Sequence, residues 1–311
     1  MGDSDKIKVP VLLGPTAAGK TELAIEVAQR LGWEILSCDS RQLYCGMNIG
    51  TAKPSTAQLQ SVTHHLIDII DPSETYSAYR FVADATEIIL SRAREGKTTL
   101  LCGGTGLYYK SLSEGIGTQI ESDPDIRAQL MRRGEMFGAA TLHEELSVKD
   151  FMAASRIHPN DLQRIVRALA VFYQTGVPLS SLQECKNKPD EFEFCAVCLY
   201  EDREVLYDRI NRRVRRMVDD GLYEEFRVLL ARGNHEKSPG LQCVGYKEFF
   251  PYENKECSFD DAIELIQRNT RRYAKRQITW FSHQVDALEL SADCGYKQLI
   301  DLYQEFMDKR E

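Results

Sequence analysis

The chain has 311 residues, with 39 lysines and arginines against 47 aspartates and glutamates, so its formal net charge is −8. This balance excludes a uniformly basic nucleic-acid coat protein but not a local basic groove. A hydrophobic fraction of 43% and a charged fraction of 28% are typical of a soluble globular protein and indicate neither disorder nor a fibrous repeat.

Cysteine usage and the first residues bear on the cellular compartment. The nine cysteines are scattered along the chain, which favours reduced thiols in a cytosolic enzyme over a disulfide framework. The segment from Met1 to Lys6 lacks the apolar core of a signal peptide, and Lys6 stands where a myristoylation signal has serine or threonine. No stretch approaches the roughly 20 apolar residues of a membrane span. We therefore expect a cytoplasmic protein that does not engage a membrane.

In the first third of the chain, apolar runs that stop at glycine or aspartate alternate with segments that carry apolar residues at helical spacing. They predict strand Val9–Leu13, helix Glu22–Leu31, strand Trp33–Cys38, helix Ser77–Arg94 and strand Thr98–Cys102. This alternation predicts an α/β fold with a doubly wound, mostly parallel sheet, in which ligands bind at the carboxyl ends of the strands.

From about residue 121 to residue 186 the strand signals stop and short helices are predicted instead. These are Pro124–Phe137, Thr141–Val148, Ala153–Ile157 and Asp161–Thr175. A strand at Phe192–Tyr200 follows, and then helices at Glu204–Asp219, Tyr223–Ala231, Phe259–Gln267 and Arg268–Phe281. We predict a core made of residues 1–120 and 187–311, and a helical insertion domain at residues 121–186.

A phosphate-binding motif lies between the first predicted strand and the first predicted helix. Gly14-Pro15-Thr16-Ala17-Ala18-Gly19-Lys20-Thr21 matches G-x-x-x-x-G-K-[ST], and its strand and helix neighbours are the context that this motif requires. Backbone amides and the helix N-terminus would face a phosphate chain, Lys20 would add a positive charge, and the Thr21 hydroxyl is a suitable Mg²⁺ ligand. The motif predicts a P-loop NTPase-like core, but it does not identify the reaction.

Two further segments follow predicted strands and are expected near this loop. Asp39 could ligate a metal or accept a proton from a nucleophile, while a helix N-cap is the alternative for Asp39 and for Ser40. The glycines of Gly103-Gly104-Thr105 permit close backbone approach to a ligand, with Thr105 as a hydrogen-bonding group, although such a pair is typical of an ordinary tight turn.

Basic residues are concentrated in two segments despite the acidic total. They are Arg203, Arg209, Arg212, Arg213, Arg215 and Arg216 in one, and Arg268, Arg271, Arg272, Lys275 and Arg276 in the other. Arg209, Arg213 and Arg216 fall at i, i+4 and i+7 and so share one helix face. Such a face is either solvated or a clamp for a phosphate chain or a polynucleotide, and the nearby Tyr273 suits base stacking or core anchoring.

Two pairs of metal-ligand type are left out of the predicted site. Cys195-Ala196-Val197-Cys198 has C-x-x-C spacing but lies in an apolar run, which favours buried small hydrophobes over zinc or redox chemistry. His64-His65 lacks a recognisable ligand set.

Together these segments resemble the bacterial-type tRNA dimethylallyltransferases, also called tRNA isopentenyltransferases, over most of the chain. The matching blocks are GPTAAGKT at Gly14–Thr21, DSRQLY at Asp39–Tyr44, GMNIGTAKP at Gly46–Pro54, HHLID at His64–Asp68, GGTGLY at Gly103–Tyr108, HPNDLQRIVRAL at His158–Leu169, VGYKE at Val244–Glu248 and RRYAKRQITWF at Arg271–Phe281.

The resemblance implies a P-loop α/β core with a helical insert. It implies transfer of a dimethylallyl group from dimethylallyl diphosphate to N6 of the adenosine 3′ to the anticodon of tRNA (position 37), assisted by Mg²⁺. Asp39 would be the base on the adenine amine, while Lys20, Thr21 and Arg213 would bind the diphosphate and its metal. Thr16 and Thr105 would line the reaction channel, which Gly103 and Gly104 would keep narrow.

The resemblance also places residues of both predicted domains against the tRNA, and we expect the protein to act as a monomer. These residues are Asp39, Ser40, Arg41, Gln42, Thr105, Arg127, Gln163, Arg164, Ile165, Val166, Arg167, Gln242, Cys243, Val244, Gly245, Tyr246 and Lys247. Cys45, Asn48 and Ser282 depart from the family pattern, replacing a basic residue, an aspartate and an arginine. We expect these departures to weaken phosphate contacts without altering the base or the P-loop.

Three alternatives share part of this pattern. An adenylate isopentenyltransferase acting on free AMP, ADP or ATP shares the core, the P-loop and the Asp39 segment. A P-loop small-molecule kinase would use the same loop for ATP and Asp39 to activate a hydroxyl, but it gives the downstream blocks no reason to match. In a non-enzymatic tRNA-binding or nucleotide-switch protein, an intact set of Lys20, Thr21 and Asp39 has no clear purpose.

Overall fold

The computed structural model describes residues 6–117, 120, 122–184 and 190–309. Within these ranges the chain divides into two compact units, a core unit of residues 1–113 and 190–311 and an insert of residues 114–189. The boundaries predicted for the insertion domain, 121 and 186, both lie inside the insert.

The core unit is built on a parallel sheet, as the alternating pattern predicts. Its strands in the described residues are β1 (Ile7–Leu13), β2 (Glu34–Ser37), β3 (His64–His65), β4 (Thr99–Gly103), β5 (Phe192–Tyr200) and β6 (Leu288–Ser291). They lie in the order β3-β2-β4-β1-β5-β6, and every neighbouring pair is parallel. The central strand β1 aligns Val11 with Leu101 of β4 and with Ala196 of β5. The prediction of an α/β fold with a doubly wound, mostly parallel sheet is thereby confirmed.

Helices flank the sheet and build the insert. They are α1 (Lys20–Leu31), α2 (Thr56–Ser61), α3 (Ala78–Arg94) and α4 (Gly106–Glu114); then α5 (Pro124–Phe137), α6 (Ala139–Lys149), α7 (Phe151–Arg156), α8 (Leu162–Thr175) and α9 (Leu179–Glu184); and finally α10 (Arg203–Asp219), α11 (Leu222–Ala231), α12 (Phe249–Glu253), α13 (Phe259–Gln284) and α14 (Tyr296–Asp308).

Apolar layers cover both faces of the sheet because successive strand residues point to opposite sides. Val11 and Leu13 of β1 belong to the layer that contains α3, α10 and α13. Leu12 belongs to the layer that contains α1 and α14. Tyr303 of α14 also donates a hydrogen bond to the Val11 carbonyl at 2.8 Å, which ties the last helix to the central strand.

The insert has an apolar core of its own, centred on α8. Ile165, Val166 and Leu169 are fully buried in it, against residues of α5, α6 and α7. The buried Asp150 joins two of the insert's helices. It caps α7 by accepting from the Ala153 amide at 2.9 Å, and it accepts from the amide and the hydroxyl of Ser180 in α9 at 2.9 and 2.6 Å.

The fold differs from the sequence prediction in one long helix near its end and in several elements that the prediction lacks. The two helices predicted between residues 259 and 281 form the continuous helix α13, which begins at a capping box of Ser258 and Asp261. No glycine or proline lies between residues 259 and 284, so nothing in the sequence requires a break at residue 268. The prediction also lacks the short elements α2, β3, α4, α9 and α12, and it lacks β6 and α14 at the end of the chain. Strand β6 is short and largely exposed, and so has no alternating pattern to detect.

Candidate active site

A cavity of about 1250 Å³ lies at the carboxyl ends of β1, β2 and β4, within the core unit. The segments that follow these strands contribute Thr16, Asp39 and Gly103 to its lining. Parallel strands bring their carboxyl ends to the same side of a sheet, so residues far apart in the chain share this space. The three strand ends that the sequence analysis selected therefore belong to one site.

The phosphate-binding motif adopts a loop whose backbone favours glycine at defined points. Gly19 has a φ of 80° and caps the N-terminus of α1, while a Cβ on Gly14 would lie 3.1 Å from the Leu199 carbonyl oxygen. Thr16, Ala17, Gly19, Lys20 and Thr21 line the cavity, whereas Gly14, Pro15 and Ala18 are buried. The loop thus turns its middle and the start of α1 towards the cavity.

Two cations of the site, Lys20 and Arg213, are buried, and burial disfavours their charged forms. Burial lowers the pKa of the Lys20 ammonium, with Asp39 opposing and Arg213 adding to that effect, and Lys20 Nζ donates to the Pro15 carbonyl at 2.7 Å. Burial also lowers the pKa of Arg213, although its guanidinium stays charged at neutral pH, and Asp39 and Glu22 oppose the shift. A multiply charged anion would stabilise both cations, because it restores the favourable environment that burial removes.

Asp39 follows β2 and lines the cavity. Its Oδ1 accepts a hydrogen bond from the Arg41 amide at 2.8 Å, which forms a turn. Turns rather than a helix follow it, so the N-cap alternative for Asp39 and Ser40 is wrong. Oδ2 makes no hydrogen bond within the part of the chain that the structure describes, so this oxygen is available to accept a proton.

The glycines after β4 are required by close backbone approach. A Cβ on Gly103 would overlap the backbone of Cys38, and Gly103 and Gly104 both line the cavity. Thr105 was predicted to line the reaction channel, but it is not among the described residues that line this cavity. Its Oγ1 accepts instead from the Ser40 amide at 3.0 Å, and its own amide donates to the Cys38 carbonyl at 3.1 Å. Thr105 thus joins the segments after β2 and β4.

Gln277 of α13 joins the P-loop to the glycine segment, and the sequence analysis missed it. The residue is 6% exposed; its Oε1 accepts from the Thr16 amide at 2.9 Å, and its Nε2 donates to the Gly104 carbonyl at 2.8 Å. A glutamine within a basic, helical segment gives no sign of this role, because both partners are remote in sequence.

The basic helix face predicted from spacing is present on α10. Arg209, Arg213 and Arg216 all line the cavity, as does Arg212. Arg209 pairs with Glu201 at 2.6 Å and with Asp293 at 3.3 Å, so part of its charge is neutralised. Of these arginines, the half-buried Arg213 carries the pKa shift that indicates a site role.

Apart from Thr105, the core-unit residues expected to contact tRNA fall into two segments, most of whose residues line the cavity. Asp39, Ser40, Arg41 and Gln42 form one, and Gln242, Cys243, Val244, Gly245 and Lys247 form the other. Tyr246 requires correction, because its side chain is fully buried and its hydroxyl donates to Glu225 at 2.5 Å. It can support the wall but cannot present its ring to RNA.

The remaining residues expected to contact tRNA lie in the insert. Arg127, Gln163 and Arg164 are exposed, and Arg167 is half-buried with its guanidinium on Ser122 and Ile120. Burial lowers the pKa of Arg167, and the nearby charge of Arg127 lowers it further. Ile165 and Val166 were also expected against the tRNA, and here a correction is needed: both side chains are buried in the apolar core of the insert and cannot contact RNA.

The three departures from the family pattern differ in their placement. Asn48 lines the cavity and its Oδ1 accepts from Lys53 Nζ at 3.0 Å, so it keeps an acceptor where the family has aspartate. Cys45 and Ser282 are not among the described residues that line the cavity.

One member of each pair that was left out of the predicted site, Cys198 and His65, has a structural explanation. Burial raises the pKa of Cys198 to about 11, so its thiol is neutral at pH 7. His65 Nε2 contacts Glu34 at 2.6 Å, while His64 lines the cavity, a placement that the sequence analysis did not predict.

The residues present suit a magnesium ion that would be held mainly by substrate phosphates and water, with few protein ligands. Among the described residues, no group of three or more His, Cys, Asp and Glu side chains could enclose a metal. Mg²⁺ typically takes only one or two protein ligands and completes its shell with substrate phosphates and water. The Thr21 hydroxyl beside the P-loop fits that arrangement, since Thr21 lines the cavity.

Comparison with known proteins decides which family this site belongs to. The model of the family described as IPP transferase matches residues 42–284, and the model described as isopentenyl transferase matches residues 7–73. The chain belongs to the IPP transferase family. It is therefore a transferase, and the resemblance inferred from its sequence blocks is confirmed.

Relatives within the IPP transferase family match almost the whole chain. A tRNA dimethylallyltransferase from Geobacter sulfurreducens is 46% identical over 277 residues, which is 89% of each chain. A tRNA dimethylallyltransferase from Bacillus pumilus is 40% identical over 294 residues, covering 94% of this chain and 92% of the relative.

Solved structures of the family agree with the fold. The full-length tRNA isopentenylpyrophosphate transferase of Bacillus halodurans superimposes with a TM-score of 0.70 at 38% identity, covering 97% of this chain and 96% of that one. A eukaryotic dimethylallyltransferase acting on tRNA gives a TM-score of 0.79 at 26% identity, covering 98% of this chain and 80% of that one. Among the described residues, no helix is long and apolar enough to cross a membrane.

Proposed function

We propose that this protein transfers a dimethylallyl group from dimethylallyl diphosphate to N6 of the adenosine 3′ to the anticodon in tRNA, giving N6-dimethylallyladenosine and diphosphate. The names of its relatives support the reaction class. The observation that carries the proposal is one cavity that combines an anion-binding loop, buried cations and a carboxylate. The anion-binding loop and the buried cations suit the diphosphate of the donor. The carboxylate suits the adenine amine that displaces this diphosphate.

The donor's diphosphate binds at the P-loop. Amides at the N-terminus of α1, the Lys20 ammonium and the Arg213 guanidinium stabilise the negative charge that grows on the leaving group as the C–O bond breaks. A magnesium ion held by Thr21 and phosphate oxygens would supply further charge neutralisation. The allylic carbon tolerates partial positive charge, so no covalent enzyme intermediate is needed.

The acceptor amine is activated at Asp39. An adenine N6 lone pair is delocalised into the ring and is a poor nucleophile, so removal of its proton assists attack. As the lone pair forms the N6–C1 bond, the C1–O bond breaks, its electrons leave with diphosphate, and the N6 proton passes to the Asp39 carboxylate. Loss of that proton to water restores the carboxylate for another turnover.

The RNA reaches this carboxylate only with its base outside the stack. Unstacking costs a few kcal/mol and is least costly in a single-stranded loop, so an anticodon loop is a suitable substrate. The wall segments 39–42 and 242–247, with exposed basic residues of the insert, are our candidates for contacts to its bases and phosphates. We also propose that a single chain is sufficient, which light scattering of the free protein tests.

The experiment offers each acceptor to the protein separately. Protein, Mg²⁺ and dimethylallyl diphosphate are incubated with unmodified tRNA or with AMP, and prenylated adenosine is measured by mass spectrometry. We expect product on tRNA only, at the position 3′ to the anticodon, and none when a guanosine replaces that adenosine. Product on AMP alone would identify an enzyme of free nucleotides, and no product on either acceptor would contradict prenyl transfer.

A further inference from the structure

Behind the cavity wall, the Glu225 carboxylate accepts hydrogen bonds from three successive backbone amides. Glu225 of α11 accepts from the Asn48 amide at 2.8 Å, from the Ile49 amide at 2.9 Å and from the Gly50 amide at 3.1 Å. Three successive amides that converge on one anion form a nest, a local concentration of positive partial charge. Here the chain itself supplies the anion.

The same carboxylate also holds the second wall segment. The Tyr246 hydroxyl donates to Glu225 Oε1 at 2.5 Å, and the Tyr246 ring is fully buried. A Cβ on Gly50 would overlap this ring, so the two segments are in direct contact at that point. Burial and the neighbouring Glu225 charge both raise the pKa of the Tyr246 hydroxyl, which keeps it a donor.

The two segments held in this way form part of the cavity wall that the P-loop does not supply. Residues 48–54 and 242–245 line it, and Lys247 adds an exposed cation beside them. Residues 48–54 form neither helix nor strand, and turns at residues 49–52 precede α2. Without a fixed anchor, loop segments of this kind sample many conformations.

We propose that Glu225 is a positioning residue that joins residues 48–50 to Tyr246. It thereby fixes the part of the cavity wall, residues 48–54 and 242–247, that would face the RNA. This inference rests on the proposed function for the identity of the substrate on that side. Glu225 does not line the cavity itself, so it acts through the residues that it holds. A misplaced wall impairs recognition of the acceptor, while the diphosphate subsite at the P-loop is untouched.

The charge of Glu225 is the feature to remove. Glu225→Gln keeps the shape but turns one amide NH₂ towards backbone donors, so that side of the nest is left without an acceptor. We expect the KM for tRNA to rise roughly tenfold or more, as displacement of positioning groups costs up to about a hundredfold. The affinity for dimethylallyl diphosphate, measured by calorimetry without tRNA, should stay within about twofold of the parent value.

Two further variants separate positioning from general stability. Glu224→Gln removes an exposed carboxylate from the same helix and should match the parent protein. Tyr246→Phe removes one donor but keeps the ring against Gly50, so its effect should be smaller than that of Glu225→Gln. Because the two residues are in contact, the double variant should lose less than the product of the two single effects.

Hydrogen exchange tests the anchor without reference to any reaction. In Glu225→Gln, peptides covering residues 46–54 should exchange faster, while peptides covering the P-loop should be unchanged. Equal loss of tRNA and diphosphate affinity, or unchanged exchange at residues 46–54, would overturn the proposal. If the parent protein prenylates no tRNA but exchange rises as expected, the proposed function fails and the anchor stands.

Discussion

Asp39, which we propose as the base, is held in place through one carboxylate oxygen, and its other oxygen is available to react. Oδ1 is committed to the Arg41 amide at 2.8 Å, and this bond fixes the carboxylate at the end of β2. An asparagine would preserve that acceptor while losing the ability to take a proton. An asparagine at this position therefore separates the structural role of Oδ1 from the proposed proton transfer.

We expect Asp39→Asn to reduce single-turnover prenylation by about 10²–10⁴, the range typical of a lost general base. Affinity for tRNA, measured by filter binding, should change little because the turn is retained. Unchanged turnover would remove Asp39 as the base, and an equal loss of tRNA binding would indicate a recognition role instead.

If Lys20 binds the diphosphate as proposed, we expect that binding to be sensitive to alkaline pH. Its pKa is lowered by burial, so it lies below the ordinary value of about 10.4. The charged form binds the anion, and therefore affinity is complete below this pKa and falls as the pH rises through it. Calorimetric titrations with dimethylallyl diphosphate between pH 7 and pH 10 should show this decline.

Two substitutions at the same position control for the ionisation of the ligand. Lys20→Arg keeps a cation that does not titrate in this range, so its affinity should lack the alkaline decline. Lys20→Ala should bind weakly at every pH. An alkaline decline of equal size in all three proteins would assign it to another group.

Helix α13 acts as a single element that delivers one face of side chains to the site. Ile266, Thr270, Tyr273 and Gln277 are spaced by four, three and four residues, and all four line the cavity. A predicted break at residue 268 obscured this face, because it divided residues that belong to one continuous stripe. Once the helix is continuous, its spacing alone accounts for their common direction.

Removal of the Gln277 amide should loosen the joint between the P-loop and the glycine segment. Gln277→Leu leaves the Thr16 amide and the Gly104 carbonyl without their partner, at a cost of about 1–3 kcal/mol in the free energy of unfolding for each buried group. The KM for dimethylallyl diphosphate should rise with it. Urea unfolding and steady-state kinetics measure the two effects.

The exposed Thr279→Ala on the same helix is the matched control for Gln277 and should resemble the parent protein. If Gln277→Leu loses stability but binds the donor normally, the glutamine contributes to the fold alone.

At the scale of the whole molecule, the sequence predicted features that depend on local patterns and missed those that depend on contacts between residues far apart in the chain. The P-loop and the parallel sheet were predictable because glycine spacing and apolar periodicity are local properties. Gln277 and Glu225 were not, since their partners lie 261 and 175–177 positions away. Ile165 and Tyr246 were expected against the tRNA, and only the packed structure shows that both side chains are buried.

The insert has its own buried anchor, and this makes its stability separately measurable. Burial would raise the pKa of Asp150, but hydrogen bonds from Ser180 and Ala153 lower it overall. Its contribution to stability is therefore present at neutral pH and is lost as the pH falls through the lowered folded-state pKa. Asp150→Ala should destabilise the insert by about 2–3 kcal/mol.

The two tryptophans, Trp33 and Trp280, both lie outside the insert, so fluorescence reports on the core unit alone. In urea, Asp150→Ala should lower the midpoint of part of the far-UV circular dichroism transition and leave the tryptophan fluorescence transition in place. A fluorescence transition that shifts by the same amount would show that the two units unfold as one.

The pairing of β1 with β5, which are far apart in the sequence, also affects how the chain folds during its synthesis. Strand β1 pairs with β5 through partners as distant as Ile7 and Phe192, and the insert is encoded between them. At about 5–20 residues per second, a ribosome needs roughly 10–40 s to bridge that separation. During this interval one edge of the nascent β1 has no partner strand, so we expect the incomplete chain to depend on chaperones until residue 200 has emerged.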